Sequence, residues 1–98
     1  MRAKATAEVI GDMPPFYKLA YLLWGREVDF DSDGDSAYPA AVNWRELTLS
    51  KRPGHTERID IYPFSQDSDM VVLEATSQEM LDKVLVYLSD QGAIAVID

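Results

Sequence analysis

Residues 2–9 of the chain alternate between polar and apolar side chains. The polar positions are Arg2, Lys4, Thr6 and Glu8, and the apolar positions are Ala3, Ala5, Ala7 and Val9. A period of two is typical of a strand that buries one face, so a strand is predicted over residues 2–10. The following sequence GDMPP should end it, because proline cannot donate a hydrogen bond to a neighbouring strand.

Two segments show the spacing of helices. The first is predicted from about Pro15 to Trp24, since a proline suits the first turn of a helix and Gly25 suits its end. The second follows Thr76, which we predict to be its N-cap, with Glu79 completing a capping box. Its apolar positions recur at helical spacing up to about residue 90. These positions are Met80, Leu81, Val84, Leu85, Tyr87 and Leu88.

Four strand-like patterns complete the chain. Residues 47–50 and 58–62 each alternate in polarity, and the RPGHT between them contains a Pro-Gly turn, so they are predicted to form a hairpin. The sequence MVVLEA at 70–75 is apolar on both faces, which favours a central strand, and AIAVID at 93–98 is a final strand. Residues 26–43 have no clear period and are predicted to be mainly irregular.

The resulting order, β-α-β-β-β-α-β, predicts an α+β fold. Its simplest form is a single, mostly antiparallel sheet with both helices on one face, a ferredoxin-like variant with one extra strand. The 98 residues have the length of one domain, so we expect 1–98 to be a single α+β domain.

Composition narrows the functional classes. The chain has no cysteine and carries 17 acidic against 9 basic residues, a net charge of −8. The lack of cysteine excludes disulfides and thiol chemistry, and the charge disfavours binding to nucleic acid or to an anionic membrane. The start MRAKATAEVI lacks the apolar core of a signal peptide, and no apolar run is long enough to span a bilayer. We therefore expect a soluble, cytoplasmic protein that attracts basic partners.

The segment DFDSDGD at 29–35 has an aspartate at every second position. It matches the first half of an EF-hand calcium loop, with Gly34 at the sharp turn. The candidate ligands are Asp29, Asp31, Asp33 and Asp35. Ala40, however, stands where the final bidentate glutamate of that loop would be. Three interpretations stay open: a calcium site, an acidic surface for a partner, and a solvated loop. No other cofactor is predicted.

Acidic and aromatic residues in and around this segment are candidates for binding a partner. They are Glu27, Asp29, Asp31, Asp33, Asp35, Tyr38, Trp44, Asp67 and Asp69. The first helix is also unusual, because Lys18 is its only charged residue between 16 and 24. A surface helix normally keeps a polar face, so residues 26–43 cover this helix or part of it is an interface. The candidate interface residues are Tyr17, Tyr21 and Leu22.

The chain shows no motif of a known catalytic class. Its only histidine, His55, lies in the predicted hairpin turn, and the sequence contains no GxSxG, P-loop or GxGxxG pattern. We expect a non-enzymatic protein that docks on a basic protein through the acidic loop. Small inhibitors, immunity proteins and phage-encoded antagonists share this size and charge, and a nucleic-acid mimic would present carboxylates in place of phosphates. The alternatives are a dimeric small-ligand-binding or regulatory module and a calcium-binding loop protein.

Overall fold

A computed structural model of the protein describes residues 2–54, 56–66 and 68–97. In these residues six strands form one open sheet, and two helices accompany it. The strands are β1 (Ala3–Val9), β2 (Phe30–Gly34), β3 (Leu47–Lys51), β4 (Arg58–Pro63), β5 (Met70–Ala75) and β6 (Ile94–Ile97), and the helices are α1 (Phe16–Trp24) and α2 (Gln78–Asp90). The order across the sheet is β2-β3-β4-β5-β1-β6, so β2 and β6 are its edges.

The predicted α+β class, the antiparallel sheet and the hairpin are confirmed. Every described strand pair is antiparallel, and β3 pairs with β4 as the hairpin requires. The four strands β4-β5-β1-β6 and the two helices have the ferredoxin-like arrangement. Two strands extend this unit rather than one, because β2 forms within the segment that was predicted to be mainly irregular.

The core lies between the helices and one face of the sheet. Ile59 and Ile61 point to this face from β4, and Leu73 points to it from β5; each is at most 1% exposed. Burying a side chain of this size contributes about 1.5–3 kcal/mol. On β1 the core face carries alanines, whose small side chains let α2 pack closely across β5, β1 and β6. The sheet and the helices are thus held together by the apolar side chains that alternate along the strands in the sequence.

The N-cap of α2 is Ser77, one residue after the predicted Thr76. The hydroxyl of Ser77 accepts a hydrogen bond from the Met80 amide at 3.2 Å. The hydroxyl of Thr76 is used differently, because it accepts from the Arg58 amide at 3.2 Å and so ties β4 to the end of β5. The prediction that Thr76 is the cap is wrong because the amide of this residue still donates to the Arg58 carbonyl of β4, at 3.1 Å.

The helix α1 is covered at its start and open further along. The Met13 amide donates to the Val42 carbonyl at 2.9 Å, and the Trp44 indole donates to the Pro14 carbonyl at 2.8 Å. Residues 42 and 44 therefore bind the segment that leads into the helix, while Tyr21 and Leu22 remain 36% and 38% exposed. Among the described residues, neither helix has the length and apolar character needed to cross a membrane.

Candidate binding surface at the β2 edge

Alternation along β2 sends its phenylalanine and its aspartates to opposite faces of the sheet. Phe30 lies on the helix side, where its ring centre is 6.4 Å from that of Trp24. Asp31 pairs with Ser50 and Asp33 pairs with Thr48, on the open face. One apolar anchor thus fixes an edge strand whose carboxylates point toward solvent.

Gly34 is required by the close approach of two strands. A Cβ atom at this position would overlap the carbonyl oxygen of Glu46 on the connection into β3. Its φ of 153° is also a value that residues with a side chain rarely adopt. The glycine inside DFDSDGD is therefore explained by strand packing as well as it would be by a calcium loop.

Arg52 neutralises part of the acidic cluster. Its guanidinium lies 3.3 Å from the Asp29 carboxylate and also bonds to the carboxylate of Asp31, while its amide donates to the Asp29 carbonyl at 3.0 Å. The hydrogen bond that Arg52 donates to the Asp31 carboxylate is the main cause that raises the pKa of Arg52 above its ordinary value. These contacts fix the orientation of two aspartates at the start of the strand.

Asp35 closes the connection between β2 and β3. Its Oδ1 accepts hydrogen bonds from the backbone amides of Arg45 at 2.8 Å and Glu46 at 3.0 Å. These bonds hold residues 35 and 45–46 together across ten positions of chain. Asp35 therefore has a structural role, whether or not it also contacts a partner.

Trp44 does not belong to the binding surface. It is 1% exposed and packs in the core, where its indole donates to Pro14. Its placement among the candidate partner-binding residues is corrected for this reason. An aromatic residue in an irregular segment is equally suited to closing a core, and its sequence context did not distinguish the two roles.

Asp33 and Tyr38 border a concave pocket of about 320 Å³ at the sheet edge. Asp33 is exposed and accepts from the adjoining Gly34 amide at 2.9 Å, and Tyr38 is 62% exposed. The Ser36 hydroxyl donates to the Tyr38 carbonyl at 2.7 Å and so fixes the turn that carries this ring. The remaining lining residues include Phe16 and Leu47, which add apolar surface. We call this the Asp33–Tyr38 pocket.

The other candidate partner-binding residues are scattered. Glu27 is exposed in the turn before β2. Asp69 is exposed and lies just before β5. Two strands, β3 and β4, lie between β5 and β2, so three interstrand spacings put Asp69 at least about 14 Å from β2. Asp67 lies outside the described residues, as does His55. The structure therefore does not join the turn at 65–69 to the β2 edge.

Of the three candidate interface residues on α1, Leu22 borders a largely apolar patch. The rings of Tyr17 and Tyr21 are 5.6 Å apart, and Arg26 lies over the Tyr21 ring at 5.6 Å. Leu22 lines a shallow pocket with Val86 and Tyr87 of α2. This patch shares no lining residue with the Asp33–Tyr38 pocket.

Sequence reasoning missed a polar network on the open face of the sheet. Asp60 lies at its centre and accepts from the Thr48 hydroxyl at 2.7 Å and from the guanidinium groups of Arg58 and Arg2. Burial is the largest single influence on the pKa of Asp60 and would raise it. The hydrogen bonds from Arg58, Thr48 and Arg2 together outweigh burial, so the pKa lies below its ordinary value.

The network continues to Glu74, the residue beside Asp60 on β5. Its carboxylate accepts a hydrogen bond from the Tyr62 hydroxyl, and this bond raises the pKa of Tyr62. The same carboxylate lies 3.6 Å from the guanidinium of Arg2. The charged groups of the network therefore satisfy one another. The sequence shows that charged positions alternate along each strand. It does not show which of them are neighbours, because that depends on the strand register.

No group of three or more metal-ligating side chains comes together among the described residues. In β2 the aspartates follow an extended strand and do not wrap around a point, so calcium binding stays a prediction without geometric support. Comparison with protein-family models, curated proteins and solved structures finds no match to this chain. The proposals that follow therefore rest on geometry and charge.

Proposed function

We propose that the protein is a non-enzymatic binding protein that docks on a basic partner protein through the Asp33–Tyr38 pocket and the acidic β2 edge. The observation that carries this proposal is a concave pocket at the β2 edge that the exposed Asp33 and the exposed Tyr38 both line. A lysine or arginine of the partner can pair with the carboxylate and lie against the aromatic ring. Phe16 and Leu47 would contact the aliphatic part of that side chain.

Long-range charge and local rigidity both favour this mode of binding. A net charge of −8 attracts a basic partner and accelerates its encounter. The edge strand itself is held by Phe30 on one side and by Arg52 on the other, so few side chains need to be ordered when the partner arrives. In this proposal, Asp29 and Asp31 contribute mainly to the long-range attraction of the basic partner. Asp33 and Tyr38 contact the partner directly.

The test uses a fluorescently labelled arginine-rich peptide as the probe. The exposed ion pair and the cation–π contact together are worth about 1–2 kcal/mol, so D33N combined with Y38A should weaken binding about tenfold. The charge-matched control D90N, at the end of α2, should weaken it by less than about twofold, because it changes only the distant field. Affinities are measured by fluorescence anisotropy over a range of salt concentrations.

Two results would contradict the proposal. Equal weakening by both variants would mean that the probe responds to net charge alone and that the pocket is not a contact site. An absence of binding to the wild-type protein at low salt would remove the acidic edge as a surface for basic partners. Circular dichroism before and after each titration verifies that the variants remain folded.

A further inference from the structure

The last strand, β6, is an open edge whose free backbone groups can be identified. The Ile10 amide donates to the Ala93 carbonyl at 2.9 Å, so the backbone of Ala93 faces β1. Successive residues of an antiparallel strand present their amide and carbonyl to opposite sides. Ala95 pairs with Glu8, so its backbone also faces β1, whereas those of Ile94 and Val96 face outward. No described strand lies on that side.

The two edges of the sheet differ in how they are protected. The edge strand β2 carries Asp31, Asp33 and a glycine, which are residues that discourage pairing with another strand. Residues 93–97, AIAVI, contain no charge, proline or glycine, and Val96 and Ile97 are 44% and 41% exposed. An apolar edge without such protection is a template for a further strand.

We propose that β6 pairs antiparallel with β6 of a second copy of the protein, around a two-fold axis that passes beside Ala95. In this register Ile94 lies opposite Val96 of the second copy, and Val96 lies opposite its Ile94. Every outward amide and carbonyl of these two residues then has a partner, in both chains. A foreign strand would need to match this edge, whereas a second copy matches it by symmetry.

The side chains fit the same register. Ala95 meets Ala95 of the second copy as a non-hydrogen-bonded pair, in which the Cα atoms approach to about 4.5 Å and small side chains are favoured. On the helix side, Ile94 and Val96 of the two copies form apolar cross-strand pairs. On the open face, Ile97, which is 41% exposed, lies next to the added strand of the second copy. The exposed apolar surface of β6 is thereby covered.

Charge also favours this edge over the other. The acidic cluster lies on β2, at the far side of the sheet, so two chains of net charge −8 approach through the edge that does not carry this cluster. Glu8 pairs with Ala95, and the two copies of Glu8 would be about 14 Å apart, three interstrand spacings. This separation exceeds the Debye length of about 8 Å at physiological salt. Residual repulsion between the chains should weaken further as salt is added.

A four-residue strand makes a small contact, well below the roughly 1,600 Å² of a standard interface. The dimer is therefore expected at high micromolar concentration, where the weight-average mass in sedimentation equilibrium should rise from 11.0 kDa toward twice that value. Higher salt should increase the dimer fraction. Basic-partner binding has the opposite salt dependence, so the two proposals can fail separately.

Two variants block the edge without removing a hydrogen bond of the monomer. V96P removes an amide that points outward, and A95K places two lysines opposite each other on the two-fold axis. Both should remain at 11.0 kDa under conditions in which the wild-type chain dimerises. The control V86K adds the same charge at a 61% exposed apolar position of α2 and should dimerise like the wild type.

Amide hydrogen exchange identifies the interface directly. With increasing protein concentration, exchange should slow at Ile94 and Val96, whose amides face away from β1 and pair with no described strand of the monomer. Ala95 and Ile97 already bond to β1 and should change little. A wild-type chain that stays monomeric overturns the proposal, as does a dimer that V86K disrupts while A95K and V96P do not. A dimer with unchanged exchange at Ile94 and Val96 also overturns it.

Discussion

The four aspartates of residues 29–35 have different roles although they look alike in the sequence. Asp29 and Asp31 share Arg52, and Asp35 accepts two backbone amides across the connection to β3. Asp33 bonds to the amide of the residue beside it and borders the pocket. The spacing of carboxylates alone therefore does not define a binding site, because local donors decide which carboxylate remains available to a partner.

Asp60 should make the stability of the protein depend on pH under acidic conditions. Its folded-state pKa is lowered, so its stabilisation is complete above its ordinary value of 3.8 and is lost as the pH falls through the lower folded value. D60N should lower the free energy of unfolding by about 1 kcal/mol at neutral pH, since hydrogen bonds to a charged group are lost. D60N should also make the free energy of unfolding fall less steeply as the pH is lowered below 3.8. Urea denaturation at a series of pH values measures both effects.

The exposed Asp82 on α2 provides the matched replacement for this measurement. D82N makes the same chemical change at a residue bonded only to Gln78 among the described side chains, and it should keep the acid decline of the wild-type protein. If D60N retained the wild-type slope between pH 3.8 and more acidic values, the hydrogen-bonded network would not be the source of the dependence.

At the scale of elements, the sequence predicts those helices and strands whose formation depends on hydrophobic periodicity. The hairpin of β3 and β4, the central β5 and the helix α2 each follow their apolar pattern. The strand β2 was missed because Asp, Ser and Gly have low β-propensity, and only pairing with β3 and the Phe30–Trp24 contact make it a strand. The polar network was missed for a related reason, since strand register is a property of the folded sheet.

The start of α2 should depend on a single hydroxyl. S77A removes the acceptor for the Met80 amide and should lower the free energy of unfolding by about 1 kcal/mol, whereas S77D restores an acceptor and should recover most of the loss. S89A, near the exposed end of the same helix, serves as the control and should have little effect. Thermal and urea unfolding measure the differences, and a larger loss for S89A would reject Ser77 as the cap.

At the scale of the whole molecule, the sheet separates two surfaces of opposite character. One edge is acidic and carries the Asp33–Tyr38 pocket, and the other is an open edge whose strand is apolar. Five interstrand spacings place them about 24 Å apart, which is several Debye lengths at physiological salt. A symmetric dimer through β6 would therefore leave both acidic edges at its outer ends and free to bind basic partners.

This geometry predicts that the two interactions are energetically independent, as changes at distant sites without shared partners usually are. V96P should bind the arginine-rich peptide with the affinity of the wild-type chain, because the pocket lies across the sheet from the altered residue. D33N combined with Y38A should leave the dimerisation constant within about twofold of the wild-type value, since the change in net charge is small and distant. Anisotropy titrations and sedimentation equilibrium of both variants measure the two constants. Weaker peptide binding by V96P would show instead that dimerisation brings the acidic edges into one joint site.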